Sequence, residues 1–135
     1  MKGKLSKELA VKLLMKAKEA KAFSYAPYSH FHVGAAVLTQ DNEVFSGCNV
    51  ENASYGLTIC AERTALFNAI SKGHHKIKAV AINCDSTAIC SPCGACRQVL
   101  YEFAKDALIV MGSERKYKVA SLSKLLPLGF SFSGS

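Results

Sequence analysis

The chain has 135 residues, of which 50% are hydrophobic and 20% charged, with a formal net charge of +7. This length suits one folded domain with a buried core, and the hydrophobic content excludes an intrinsically disordered chain. No apolar run is long enough to cross a bilayer, and the first residues lack the apolar stretch of a signal peptide, so we expect a cytoplasmic protein without a membrane partner.

The first half of the chain predicts one amphipathic helix followed by two strands. Ser6 is a suitable N-cap, and apolar residues recur at helical spacing over residues 7–22. Small apolar residues at 33–39 predict a buried strand, which a polar turn connects to a second strand at 44–48. The polar, glycine-containing residues 49–58 predict a long loop of the kind that often carries function.

The second half alternates between helices and strands. Its predicted helices, strands and last helical turn lie at residues 60–71, 77–83, 93–104, 107–111, 118–120 and 121–125. This alternation predicts an α/β fold. We expect a three-layer α/β/α sandwich with a mixed sheet of about five strands, forming a single domain over residues 1–135.

The positive charge is concentrated near the start of the chain. An amphipathic first helix would carry these lysines on its solvent-facing side, which accounts for the charge without a ligand. The chain has no Arg-rich stripe and no signature of a nucleic-acid-binding fold, so we expect no nucleic-acid partner. The lysines concerned are Lys2, Lys4, Lys7, Lys12, Lys16, Lys18 and Lys21.

Three cysteines are spaced as metal ligands. Cys60 begins one predicted helix, whereas Cys93 and Cys96 lie one turn apart at the start of another, directly after Pro92. The free N–H groups and dipoles of helix N-termini stabilise thiolates, the form that binds zinc. A catalytic zinc site keeps one position open for water, and Glu62 would supply a carboxylate for proton transfer beside it.

Three thiolates around a zinc ion leave a net negative charge, which would weaken the acidification of a bound water. A nearby cation is therefore expected. Arg63 and Arg97 each directly follow a key residue, and the alternative for either is an ordinary surface ion pair. We favour Arg63 because it belongs to the first helical turn beside Glu62.

A structural zinc site is the main alternative at this point. A fourth ligand from Cys84, Cys90, His74 or His75 would close the coordination sphere. A closed site leaves Glu62 without a role, and a carboxylate beside four thiolates would only repel them. Outside the cluster, we expect the other cysteines to be small buried hydrophobic residues: Cys48, Cys84 and Cys90.

Four ordered segments resemble the small homotetrameric cytidine deaminases of the cytidine/deoxycytidylate deaminase family. They include Cys60-Ala61-Glu62 and Pro92-Cys93-Gly94-Ala95-Cys96, and a weaker likeness covers residues 125–127 with Phe130. The four segments are residues 26–36, 47–56, 60–65 and 92–98. Four blocks across most of the domain are far more specific than one motif.

The resemblance implies a zinc-dependent hydrolase with one Zn²⁺ per subunit on Cys60, Cys93 and Cys96. Glu62 is then the catalytic residue, carrying protons between water and base. The implied reaction converts cytidine and deoxycytidine to uridine and deoxyuridine with release of ammonia, in pyrimidine salvage. The implied assembly is a homotetramer, whose substrate is a free nucleoside rather than a nucleic acid.

The resemblance also implies how the nucleoside is bound. Asn49 and Glu51 are expected to hydrogen-bond the ribose, the backbone N–H of Ala61 to meet the base O2, and Phe31 to line the pocket. An Asn-x-Glu pair on an extended segment places both side chains on one face, which suits a ribose. The alternative for Asn49 and Glu51 is an ordinary turn pair, and Phe31 is equally compatible with a plain core position.

Two aromatic residues are implied to complete the pocket across subunits. Phe130 is expected to stack on the base bound by a neighbouring subunit, and Tyr55 to lie near a subunit contact. After Phe130, however, the chain has Ser-rich residues 131–135, where the family often continues with an acidic, Leu-containing tail.

Different functions remain open from the sequence. Blasticidin-type deaminases share the two cysteine motifs but resemble the chain less at residues 49–56. An aminonucleoside antibiotic or a cytosine in single-stranded nucleic acid is therefore a second possible kind of substrate. A non-catalytic zinc-binding module, in which Glu62 would be dispensable, and a degenerate structural homologue also stay open.

Overall fold

A five-stranded sheet lies between helices in the computed structural model, which describes residues 4–132. The strands are β1 Val33–Thr39, β2 Val44–Cys48, β3 Ile77–Cys84, β4 Leu108–Gly112 and β5 Tyr117–Ser121. The helices are α1 Lys7–Lys21, α2 Ala61–Ser71, α3 Gly94–Phe103 and α4 Leu122–Leu125, and one 3₁₀ turn spans Tyr55–Leu57. In residues 4–132, no helix is both long and apolar enough to cross a membrane.

The sheet is mixed, as the sequence predicts. Its strand order is β2-β1-β3-β4-β5. Strand β1 is antiparallel to both β2 and β3, β3 is parallel to β4, and β4 is antiparallel to β5. The parallel pair needs a crossover, and α3 lies in the connection between these two strands. The predicted mixed α/β sandwich of about five strands is therefore confirmed.

Helix α1 covers one face of the sheet. Ser6 caps it by accepting a hydrogen bond from the N–H of Leu9. The buried Leu13 and Leu14 pack among small strand residues that include Ala36 and Ala81. The helix ends at Lys21, one residue earlier than the predicted boundary, and its lysine-bearing side faces solvent.

Helices α2 and α3 cover the opposite face. Leu66 of α2 and Leu100 of α3 are fully buried and belong to a core with Val37, Val80 and Ile109 of the strands. Burying side chains of this size stabilises the fold by about 1.5–3 kcal/mol each relative to leaving them exposed. Because both helices rest on the same face, their N-terminal ends are held in fixed positions relative to each other.

Two glycines let the helices approach the sheet backbone. A Cβ atom at Gly34 of β1 would lie 1.8 Å from the carbonyl oxygen of Ala17 in α1. On the other face, a Cβ atom at Gly47 of β2 would lie 2.5 Å from the backbone nitrogen of Ala65 in α2. Glycine is therefore required at both positions for this packing.

The substitution Gly34→Ala should destabilise the protein strongly, because the added methyl meets the backbone of α1 rather than a movable side chain. We expect the free energy of unfolding to fall by about 3 kcal/mol, measured by urea denaturation. Gly56→Ala is the matched control, since its Cβ would meet no atom within 4 Å. Equal stability of the two variants would contradict this packing.

Candidate active site

The three predicted metal ligands converge at the N-termini of two helices. Cys60 is the N-cap of α2 and Cys93 is the N-cap of α3, so each helix begins one residue after the cysteine that the sequence places at its start. The sulfur of Cys93 accepts the N–H of Cys96 at 3.4 Å. The Cys60 and Cys93 sulfurs lie 3.8 Å apart, and all three sulfurs lie within 4.8 Å of one another.

This geometry fits zinc. Zn–S bonds of about 2.3 Å in tetrahedral geometry separate two sulfurs by about 3.8 Å. In the part of the chain that the structure describes, the metal-binding group contains Cys60, Cys93 and Cys96, with no fourth His, Cys, Asp or Glu ligand. Three thiolates are soft ligands that suit zinc and leave one tetrahedral position for water or substrate.

The other candidate ligands lie elsewhere. Cys84 and Cys90 form a disulfide with their Cα atoms 6.4 Å apart, so the prediction of separate buried thiols at these two positions is wrong. The pair forms because residues 85–89 turn back after β3. The His74 ring lies 3.2 Å from carboxylate oxygens of both Asp41 and Glu43.

The environment favours a thiolate at Cys60. Its pKa is lowered to about 5, first by the hydrogen bond from the Cys96 thiol and then by Arg63. The same shared hydrogen bond, together with burial, raises the pKa of Cys96. Zinc binds cysteines as thiolates, so both thiols must lose their protons when the metal binds.

Glu62 is a buried carboxylate beside this group. Its side chain belongs to the first turn of α2 and is only 5% exposed. Burial raises its pKa to about 7, and the negative charge of Cys60 acts in the same direction. A carboxyl group with a pKa near neutrality can both accept and return a proton, as general acid–base catalysis requires.

The two arginines take different positions. The Nη2 of Arg63 lies 3.4 Å from the Cys60 sulfur, where its charge partly neutralises the thiolates. Arg97 turns away from the sulfurs and donates to the carbonyl oxygens of Pro92 and Leu125 at 2.8 and 2.7 Å. Of the two candidates that the sequence offers, only Arg63 contacts a metal-ligating cysteine.

A cavity of about 540 Å³ opens onto the cysteines and Glu62. Its size lies within the range of small-molecule sites. The predicted substrate-binding residues that line it are Phe31, Asn49, Glu51 and Ala61, together with Cys60, Glu62 and Cys93. Cys96 is fully buried and is not among the lining residues.

The side chain of Asn49 is hydrogen-bonded to neighbouring segments of the pocket wall. Its side chain is only 9% exposed, accepts hydrogen bonds from Ser24 and the Val33 N–H, and donates to the carbonyl oxygen of Phe31 at 2.8 Å. It therefore shapes the segment that carries Phe31. One amide N–H of Asn49 stays available for a ligand.

Glu51 anchors the neighbouring loop. Its carboxylate accepts the backbone N–H groups of Tyr28 and Ser29 at 3.0 and 3.1 Å, and also the Ser29 hydroxyl. These bonds lower the pKa of Glu51, with the Ser29 hydroxyl contributing most. The carboxylate is thus kept ionised as a hydrogen-bond acceptor at the cavity edge.

Two predicted residues do not line the pocket of their own chain. Tyr55 is 77% exposed and borders a separate surface cavity with Tyr28, whose ring centroid is 6.2 Å away. Phe130 is 63% exposed, and its ring packs edge-on against Phe132.

The loop that follows β3 also lines the cavity, although no motif in the sequence predicts it. Ser86, Ile89 and Cys90 line the cavity, and Asp85 anchors the loop because its carboxylate accepts the His32 N–H at 3.0 Å. The Asp85 N–H also donates to the His32 carbonyl at 3.2 Å. The signal in the sequence was a polar residue directly after a buried strand, where α/β folds commonly bind ligands.

A three-thiolate centre with a buried carboxylate, at helix N-termini in an α/β/α sandwich, defines the zinc-deaminase class. The model of the cytidine and deoxycytidylate deaminase zinc-binding region matches residues 7–112. The chain belongs to the cytidine and deoxycytidylate deaminase family.

Similar proteins agree with this assignment. A cytidine deaminase of Sporosarcina psychrophila is 45% identical over 122 residues, covering 89% of this chain and 90% of the relative. One from Halalkalibacterium halodurans is 46% identical over 120 residues, covering 87% and 91%. The crystal structure of cytidine deaminase from Burkholderia pseudomallei superposes with a TM-score of 0.84 at 47% identity, covering 88% of this chain and 97% of that one.

Replacing Cys96 with alanine should remove both metal and stability. Two remaining thiolates bind zinc less tightly, and zinc binding contributes directly to folding. We expect bound zinc, measured by metal analysis of the purified protein, to fall well below one per chain, with a lower melting temperature. Cys48→Ala is the matched control, because Cys48 is a free, half-buried cysteine outside the cluster. A Cys96→Ala protein with full zinc content would contradict this site.

Proposed function

We propose that this protein is a zinc-dependent cytidine deaminase, which hydrolyses cytidine and deoxycytidine to uridine and deoxyuridine with release of ammonia. The observation that carries this proposal is the buried Glu62, which shares one pocket with the three-cysteine group. A structural zinc site has no use for a buried carboxylate with a pKa raised to about 7. The relatives named above are cytidine deaminases.

Glu62 is proposed to carry the protons. When bound to the cysteines, zinc supplies a Lewis acid that lowers the pKa of a water molecule towards neutrality. Glu62 accepts a proton from this water as the water oxygen adds to C4 of the cytosine ring. Glu62 passes this proton to N3. It then takes the second proton from the new C4 hydroxyl and passes it to the departing amine, so that the C4–N4 bond breaks and the C4 carbonyl forms. Cytidine and water give uridine and ammonia, without any further reactant.

The pocket wall is proposed to bind the nucleoside. The free N–H of Asn49 and the ionised carboxylate of Glu51 suit the hydroxyl groups of a ribose. The backbone N–H of Ala61, at the first position of α2, is one of the donors that a helix N-terminus leaves free, and it suits the base O2. Phe31 contributes an apolar surface to the same cavity.

The active site is proposed to be completed in a homotetramer. Phe130 and Tyr55 are large, exposed aromatic residues outside their own pocket, which is typical of side chains buried by a partner. A neighbouring subunit would place Phe130 against the bound base. The single catalytic domain over residues 1–135, the cytoplasmic location and the role in pyrimidine salvage belong to the same proposal.

Glu62→Gln should keep zinc and fold but lower kcat by about 10²- to 10⁴-fold, because an amide cannot accept or return the proton. The loss of cytidine absorbance measures the activity, and metal analysis measures the zinc. Glu102→Gln is the matched control, since Glu102 lies on the exposed side of α3. Near-normal turnover by a zinc-loaded Glu62→Gln enzyme would refute the assigned role.

Phe130→Ala should raise the KM for cytidine while zinc content stays normal. Stacking of a base on an aromatic side chain contributes about 1–3 kcal/mol, which corresponds to about 5- to 150-fold in affinity. Phe67→Ala removes another exposed aromatic residue and serves as the control. An unchanged KM in Phe130→Ala would remove this residue from the pocket.

Mixed assemblies can show whether Phe130 acts across subunits. Refolding Glu62→Gln chains together with Phe130→Ala chains creates some sites with Glu62 from one chain and Phe130 from another. We expect these assemblies to show substantial activity together with a normal KM, a combination that neither parent protein has. If Phe130 serves its own chain, every site lacks one of the two residues, and no such activity can appear.

A further inference from the structure

The residues around Phe130 are fastened to helix α3 by a side-chain amide. Gln98 donates from Nε2 to the Phe130 carbonyl oxygen at 3.0 Å, and its Oε1 accepts the Phe130 N–H at 3.2 Å. Both backbone polar groups of one residue are thus paired with one amide, as in a strand pair. This two-bond contact, which we call the Gln98 clamp, fixes the position and the orientation of the Phe130 backbone.

Two further contacts hold the same segment. Arg97 donates to the Leu125 carbonyl oxygen at 2.7 Å, and its Nε donates to Pro92 at 2.8 Å. At Gly129, an added Cβ would lie 2.9 Å from ring atoms of Tyr101 on α3. Residues 125–130 therefore contact α3 at Leu125, at Gly129 and at Phe130 itself.

The Phe130 ring does not share in this packing. It is mostly exposed, and the aromatic ring beside it, Phe132, is nearly fully exposed. Core burial therefore cannot explain why the backbone at this position is held by two hydrogen bonds. Holding a backbone in place before binding reduces the conformational entropy that is lost when its side chain contacts a ligand.

Helix α3 joins this clamp to the metal centre. Its N-terminus carries Cys93 and Cys96, and Gln98 lies two residues beyond the second of these ligands. Helix α3 therefore carries two of the three metal-binding cysteines and also fixes the backbone of Phe130.

We propose that Gln98 is a positioning residue, which fixes Phe130 in the orientation needed to stack on a bound cytosine base. This inference rests on the proposed function, because it requires that Phe130 contact the base. Gln98 touches neither the metal ligands' sulfurs nor the pocket, and it acts only through Phe130. Its effect belongs in substrate binding rather than in the chemical step.

The test is Gln98→Met, which keeps the length of the side chain and removes both hydrogen bonds. We expect the KM for cytidine to rise about fivefold, while kcat and zinc content stay close to those of the unchanged protein. Gln40→Met is the matched control, because Gln40 is exposed on the turn between β1 and β2. If Gln98→Met leaves KM unchanged while Phe130→Ala raises it, the proposed role of Gln98 is wrong and that of Phe130 stands.

A double-mutant cycle tests whether Gln98 works through Phe130. In the Phe130→Ala background, Gln98→Met should add no further rise in KM, because the side chain that the clamp positions is already gone. An equal rise in both backgrounds would overturn the proposal. If Phe130→Ala itself leaves KM unchanged, both the proposed role of Phe130 and the role of Gln98 are wrong.

Discussion

The active site depends on two helices that begin at the same place. Cys60 and Cys93 occupy the N-cap positions of α2 and α3, where free backbone N–H groups and helix dipoles favour negative charge. The Cys96 N–H donates to the Cys93 sulfur, so the same sulfur that serves as a metal ligand also caps helix α3. Both helices are fixed on the same face of the sheet, which holds the sulfurs close together before any metal binds.

The first turn of α2 supplies three different chemical groups from a few successive residues. Cys60 contributes a thiolate, Glu62 turns into the buried pocket, and Arg63 returns to the Cys60 sulfur. Burial raises the pKa of Glu62, whereas hydrogen bonds from Cys96 and Arg63 lower that of Cys60. The pKa values of these two neighbouring acidic groups therefore shift in opposite directions. Glu62 is more easily protonated, and Cys60 is more easily ionised.

The sequence predicts the parts of this site that depend on local spacing. The Cys-Ala-Glu and Pro-Cys-x-x-Cys motifs place the ligands at helix starts, and the alternation of strands and helices predicts the sandwich. Contacts between distant segments could not be predicted. The hydrogen bond from the Ser24 hydroxyl to Asn49 and the bonds between Gln98 and Phe130 join segments that are distant in the chain. Their partners follow from tertiary packing rather than periodicity. The disulfide of Cys84 with Cys90 likewise depends on how one loop turns.

The glycine contacts on the two faces of the sheet limit how this pocket could change its size. At Gly34 and Gly47 the helix backbones lie against the strands with no side chain between them, so the spacing of the layers is already at its minimum. Larger core residues would move the helices away from the sheet and break these contacts, so they cannot enlarge the pocket without disturbing the packing. Adaptation to a bulkier nucleoside would therefore have to come from the rim, through Phe31 and the loop that begins at Asp85.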